Sequence, residues 1–319
     1  MIKVEHLTKC YGDFVAVKDL SFEIEEGHVY GFLGPNGAGK STTMNIITGC
    51  LSPTDGRVLI GEHDIYEEPE AAKRLIGYLP EIPPLYTNET PLEYLEFVGE
   101  AKGLKGNELK EEIAMVIEKT GLENMKNRLI GNLSKGYKQR VGIAQAIMGN
   151  PKVIILDEPT VGLDPIQIIE IRDLIKELGQ THTVIFSSHI LSEVQAICEQ
   201  VLIISKGELV AFDTTENLEK NTNKGSLEDV FIELTANDPE ALKNMYREKM
   251  YGAQMAPENA ITPEVKEEQA SPEAPKETEA PEATEISQAP EAPETSENPE
   301  KAQTPENSES EVREDESSL

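Results

Sequence analysis

The chain has 319 residues and a formal net charge of −30, with three widely spaced cysteines, Cys10, Cys50 and Cys198. So acidic a balance argues against a nucleic-acid partner, which needs a basic face, and the cysteines offer neither a disulfide framework nor a metal cluster but small core residues of a protein in a reducing cytosol. No apolar run approaches the length of a membrane span and no signal-peptide core is present, so any membrane-spanning part of its machinery is expected on another chain.

Taken in order, residues 2–7, 14–17 and 20–24 read as short β-like runs, with Tyr11-Gly12 between the first two. Residues 29–33 form another apolar run, which leads into Gly34-Pro35-Asn36-Gly37-Ala38-Gly39-Lys40-Ser41-Thr42. Strand, glycine-rich turn and helix is the setting that a G-x-x-x-x-G-K-[ST] phosphate loop requires. Its glycines let successive backbone N–H groups curl around phosphate oxygens, and the following helix turns its positive end to the anion. Lys40 is expected to reach the β- and γ-phosphates of a nucleotide, and Ser41 to sit on Mg²⁺.

A further strand is expected at residues 57–60, and the pattern then turns helical over residues 90–150. Thr90-Pro91-Leu92-Glu93 spells a capping box with proline at the first helical position, and Gly103 marks the stop. A second helix is expected from Asn107 to Thr120, with Leu109, Ile113, Val116 and Ile117 on its apolar face and Gly121 as its stop. Ser134 caps a third helix that carries Val141, Ala144, Ile147 and Met148, another anion-binding N-terminus in form.

Strand and helix then alternate. Residues 153–156 are wholly apolar, as in a strand buried on both faces, and Asp157-Glu158-Pro159 follow directly. In open α/β sheets ligands bind at the carboxyl ends of strands, so Asp157 can hold Mg²⁺ and Glu158 can polarise an attacking water. Asp164-Pro165 begins a helix ended by Gly179, residues 183–186 and 201–204 are strands, and residues 226–234 are the last stretch apolar enough to dock on a core. The fold class is therefore α/β with a mostly parallel sheet and a helical insertion.

These motifs together resemble the ATP-binding subunit of an ABC transporter. Gly34 to Thr42 resemble its Walker A loop, residues 153–158 its Walker B strand, and Ser134, Gly136, Gln139 and Arg140 its signature motif. Gly162-Leu163-Asp164 resembles the D-loop, Ser187-Ser188-His189 the switch-histidine loop, and Tyr11 stands where the family places an aromatic under adenine. The string Gly77-Tyr78-Leu79-Pro80-Glu81 and the Leu-Glu-Asp-Val-Phe segment from Leu227 resemble the ABC-2 branch. Two positions depart from the family. Lys135 and Tyr137 fill variable places of the signature, and Glu81 replaces a common glutamine, so it can ligate Mg²⁺ but, ionised, cannot donate a hydrogen bond.

The resemblance implies a P-loop NTPase core with an antiparallel β subdomain at the N-terminus and a helical subdomain at about 84–150, all within residues 1–235. It implies ATP and Mg²⁺ as ligands: Tyr11, Gly34 to Thr42, Glu81, Ser134, Gly136 and Asp164 around ATP, Ser41, Asp157 and Glu81 on the metal, and Glu158, His189 and Lys40 in catalysis. One set of motifs implies a dimer with a second copy of the chain or a homologous ATPase subunit, because the family closes ATP between Walker A of one subunit and the signature serine of another. An integral-membrane permease subunit and a place on the cytoplasmic side of the cell membrane are also implied, with residues 82–86 facing the permease. A soluble ABC ATPase acting on ribosomes or DNA, and a regulatory module without turnover, are the rivals; the acidic charge opposes the first, and Asp157, Glu158 and His189 the second.

Residues 253–319 carry 19 acidic and 4 basic residues, nine prolines and no aromatic, which is half of the whole chain's net charge. So little apolar surface cannot offset the entropy of ordering the backbone, so the tail is expected to be disordered, with residues 236–252 as a short extension before it. Pro-Glu pairs at 263, 272, 281, 290 and 299 fall nine residues apart, as in an extended, self-repelling spacer or a binding tail for a basic partner.

Overall fold

The computed structural model describes residues 1–221 and 226–236. The chain divides into two units, Met1–Glu258 and Asn259–Leu319. The acidic tail and its period lie outside the described residues, as does nearly all of the 236–252 extension.

Strands β1 (Ile2–Tyr11), β2 (Phe14–Ile24), β4 (Asp55–Ile60) and β5 (His63–Asp64) form an antiparallel sheet in the order β2-β1-β4-β5. A six-stranded sheet is built from β3 (Val29–Leu33), β6 (Ile76–Leu79), β7 (Val153–Asp157), β8 (Thr183–Ser188), β9 (Gln200–Ser205) and β10 (Glu208–Thr214). Its order is β10-β9-β3-β8-β7-β6, parallel throughout except for β10 at one edge. This is the α/β arrangement expected.

The alternation along β7 shows why these runs are apolar throughout. Val153 and Ile155 join one core with Met44 and Ile46 of α1 (Lys40–Ile47) and with Val4 and Phe22 of the antiparallel sheet. Ile154 and Leu156 enter the opposite core with the remaining large helices. A strand covered on both faces has no polar side to show.

That second core holds α3 (Pro91–Ala101), α4 (Gly106–Lys119) and α5 (Lys135–Ile147) through Leu95, Leu109, Ile113 and Ile143, together with α6 (Pro165–Gly179) and α7 (Leu191–Ile197). The capping box forms: the Thr90 hydroxyl accepts the Glu93 N–H, and the Thr90 N–H donates to Glu93 Oε2 at 2.9 Å. Leu109, Ile113, Val116 and Ile117 are all buried, and Leu227, Val230 and Phe231 of α9 (Leu227–Thr235) dock on the same core.

Several elements differ from expectation. Residues 14–17 and 20–24 are one strand, because irregular pairing with β1 near Leu7 and Lys9 carries it through the polar break. Strands β5, β6 and β10, and helices α2 (Pro69–Arg74), α7 and α8 (Thr215–Asn221), are too short or too polar to announce themselves by period. α6 ends at Gly179 as expected, but the glycine is its last helical residue, where a Cβ would stand 2.3 Å from Val29 Cγ2. Of the cysteines only Cys198 is a core residue; Cys10 is half-buried and Cys50 exposed.

Candidate functional site

The parallel register aligns the carboxyl ends of the central strands. Leu33 pairs with Ser188, Asp157 with Ser187, and Leu79 with Leu156, so the segments beginning at Gly34, Glu158, His189 and Pro80 leave the sheet along one edge. Ligands gather at that edge in open α/β sheets.

The phosphate loop connects β3 to α1. A Cβ at Gly34 would lie 2.6 Å from the Ile204 carbonyl oxygen, so the loop leaves the sheet with no room for a side chain. Gly39, which caps α1, has φ 104°, a left-handed conformation, and a Cβ there would meet the Ala16 carbonyl at 2.6 Å. Lys40 Nζ donates to the Gly34 carbonyl at 2.8 Å and to that of Pro35 at 3.4 Å, folding back over the loop.

Across the edge, Asp157 is buried and accepts from Ser187 Oγ at 2.5 Å, and the same oxygen accepts the Glu158 N–H at 2.9 Å. Glu158 has φ 50°, a left-handed conformation uncommon outside glycine and of a kind that clusters at active sites. Its side chain is 8% exposed and lies between the Lys40 ammonium and the His189 ring, with Oε1 3.8 Å from Lys40 Nζ and Oε2 2.8 Å from His189 Nδ1. Burial pushes the Glu158 carboxyl above the usual carboxylate range, against the opposing pull of His189 and Lys40. Burial likewise lowers the Lys40 ammonium, while Glu158, Asp157 and Glu81 act to raise it.

These groups open on one cleft of about 600 Å³. Asn36, Gly37, Gly39, Lys40, Ser41 and Thr42 of the phosphate loop line it together with Glu81, Glu158, His189 and Tyr11. Asp157 lies buried at the end of β7 beside Glu158, and Gly34, Pro35 and Ala38 shape the loop without lining the cleft. Ser134, Gly136 and Asp164 are not part of it. Ser134 caps α5 by accepting the Tyr137 N–H, Asp164 caps α6 by accepting the Gln167 N–H, and Gly136 and Asp164 line a separate cleft of about 490 Å³.

The ABC transporter family model matches residues 17–161. An uncharacterized ABC transporter ATP-binding protein of Bacillus subtilis is 41% identical over 210 residues, which cover 66% of this chain and 69% of that protein. The bacitracin transport ATP-binding protein of Bacillus licheniformis is 40% identical over 227 residues, covering 70% of this chain and 73% of its own length. This chain belongs to the ABC transporter ATP-binding proteins. Among solved structures, an ATP-binding cassette captured as a dimer after hydrolysis, bound to ADP and Pi, superposes with a TM-score of 0.62 at 29% identity, covering 67% of this chain and 98% of that one.

Within an ATP-binding cassette, several residues of this edge escaped the sequence reading. Phe14, 63% exposed, pairs with Tyr11 across the β1–β2 turn and lines the cleft with Ala16 and Val161. An aromatic two residues beyond Tyr11-Gly12 was a signal, but a β-like run explains an aromatic equally well. Arg140, which the sequence places in the signature motif, lines the other cleft and donates to the Thr120 carbonyl at 2.9 Å and to Glu170 at 2.7 Å. Glu193, buried under the histidine loop, carried no sequence signal at all.

Proposed function

We propose that this ATPase powers a membrane permease of the ABC-2 export type by ATP-driven dimerisation, with the cleft above as the half-site of each subunit. The observation that carries the reading is the junction of Lys40, Glu158 and His189 at the mouth of a phosphate loop. In this reading the loop amides of Gly34 to Thr42 hold the phosphates and Lys40 leaves the Gly34 carbonyl for the β- and γ-oxygens. Tyr11 presents an exposed ring to adenine. Glu158 takes the proton of the attacking water, helped by a carboxyl whose raised proton affinity suits a base. His189, 40% exposed and held by Glu158, meets the γ-phosphate and registers its departure.

The hard oxygen donors Ser41, Asp157 and Glu81 suit Mg²⁺, which would neutralise charge on the phosphates. Among the described residues no group of three or more His, Cys, Asp and Glu forms a cage of its own, and Mg²⁺ in nucleotide sites rests on one or two carboxylates plus phosphate oxygens.

Ser134, Gly136 and Asp164 lie outside the cleft of their own chain, and this supports a second copy that completes the site. The dimeric cassette with ADP and Pi supports the same arrangement. A permease partner and a place on the cytoplasmic face of the membrane are supported by the bacitracin transport relative and by the exposed apolar side chains Ile82 (83%) and Tyr86 (51%) after β6. Among the described residues no helix is long and apolar enough to cross a membrane. The ATP-binding domain ends with α9, and the acidic tail is a spacer.

Affinity capture of the full chain from detergent-solubilised membranes tests the partner. A multi-span membrane protein retained on the chain is the expected result; ribosomal proteins in its place would overturn the transporter reading for the soluble one.

A further inference from the structure

Glu193 is 1% exposed, the most deeply buried carboxylate among the described residues, and the hydrolytic roles above do not use it. Burying a carboxylate is costly unless it is well partnered, and nothing in a helix facing an apolar core requires one there. Its partners are specific. Oε2 accepts from Thr160 Oγ1 at 2.7 Å and from Ser188 Oγ at 3.0 Å. Thr160 lies two residues beyond Glu158, and Ser188 immediately precedes His189, so one oxygen ties together the loops that carry the base and the histidine. Ser188 Oγ also accepts the Ile190 N–H at 2.9 Å, which fixes the turn in which His189 sits.

The other oxygen faces α6. Arg172 Nη2 is 3.6 Å from Oε1, and among the described residues neither Oε1 nor Arg172 Nε has a hydrogen-bond partner. The carboxylate thus reaches the loop after β7, the loop after β8, and the helix that starts at the Asp164 cap. Thr160 and Ser188 are themselves 3% and 0% exposed, so water does not compete for these bonds.

We propose that Glu193 is a positioning residue for hydrolysis, a clamp through Thr160 and Ser188 that fixes the distance between Glu158 and His189. This rests on the roles given above to Glu158 and His189. The clamp acts on the geometry of the reacting groups and leaves the phosphate loop untouched, so it governs turnover and not nucleotide affinity.

The test uses the full chain and compares Thr160→Val, which removes the donor at nearly constant volume, with Thr160→Ser, which keeps it. Loss of alignment in an active site lowers turnover on the order of 10- to 100-fold. Thr160→Val and Glu193→Leu are expected to lose kcat on that scale with KM for ATP unchanged, and Thr160→Ser to stay near wild type. The Thr160→Val/Glu193→Leu double variant is expected to be no worse than its weaker parent, because the two residues form one unit. Should Glu193→Leu fail to fold, the Thr160 pair still decides. Wild-type kcat in Thr160→Val, equal impairment in Thr160→Ser, or a change in KM alone would overturn the clamp. Glu158→Gln run alongside separates the two levels: normal turnover there refutes the assignment of the base, whereas loss there with an unimpaired Thr160→Val refutes the clamp alone.

Discussion

Replacing Tyr11 with alanine isolates the base-binding part of the site from the rest. Tyr11 is 50% exposed at the β1–β2 turn, so its loss costs the fold little, within about 0.5 kcal/mol for a surface substitution. Stacking of a base on an aromatic ring is worth ~1–3 kcal/mol. Lys9 Nζ already lies over the Tyr11 ring, 5.3 Å from its centroid, which leaves one face for a base and points to the lower part of that range. One to two kcal/mol corresponds to roughly 5- to 30-fold in Kd. Calorimetric titration with ADP, which cannot turn over, should show Tyr11→Ala weaker by about that factor and Tyr11→Phe close to wild type. Pyrophosphate, which has no base, should bind both equally. An ADP affinity unchanged in Tyr11→Ala, or pyrophosphate weakened to the same degree, would refute the stacking argument and leave Phe14 as the aromatic to test.

Other consequences follow from the same geometry. Burial raises the folded-state pKa of Glu158, so the folded chain holds that proton more tightly than the unfolded chain; the linked stability is present below the unfolded pKa and fades as pH rises through the folded one. Glu158→Gln removes this dependence, so its melting temperature relative to wild type, without nucleotide, should rise as the pH is raised from the ordinary carboxylate value through the raised one; a flat or falling difference would contradict the assignment. Thr90→Ala breaks the capping box of α3 and should cost ~1 kcal/mol, seen as a loss of about 2–4 °C in thermal unfolding with ATP turnover retained. Truncation after Gly252 removes a segment too polar to support a core and should leave ATP turnover unchanged, whereas a large loss would show the tail to be more than a spacer.

The motifs were legible because each one couples a chemical demand to a backbone demand. Gly34 and Gly39 sit where a Cβ would strike the carbonyls of Ile204 and Ala16, so the spelling of the loop records sterics as well as phosphate binding. Wholly apolar runs such as residues 153–156 could be read as doubly covered strands, and both of their faces are indeed filled. What escaped was held by tertiary contact. β10 is recruited by antiparallel pairing with β9, and its half-buried side chains leave no clean alternation. Glu193 looks in sequence like any acid in the first turn of a helix; only the folding of Thr160 and Ser188 onto it reveals a buried clamp. The separation of Ser134, Gly136 and Asp164 from the cleft of Lys40 and Glu158 was expected from the family resemblance alone, because a linear string records the order of motifs and not their distances in space.

The central claim is that Glu158 activates water in a site that two copies close around ATP. Turnover, ATP binding and light scattering of Glu158→Gln test it together. Removing a general base lowers turnover ~10²–10⁴-fold, and the variant keeps Lys40 and the phosphate loop, so it should bind ATP, form a stable dimer on ATP and hardly hydrolyse it. Near-normal turnover, or a chain that stays monomeric with ATP bound, would contradict the account.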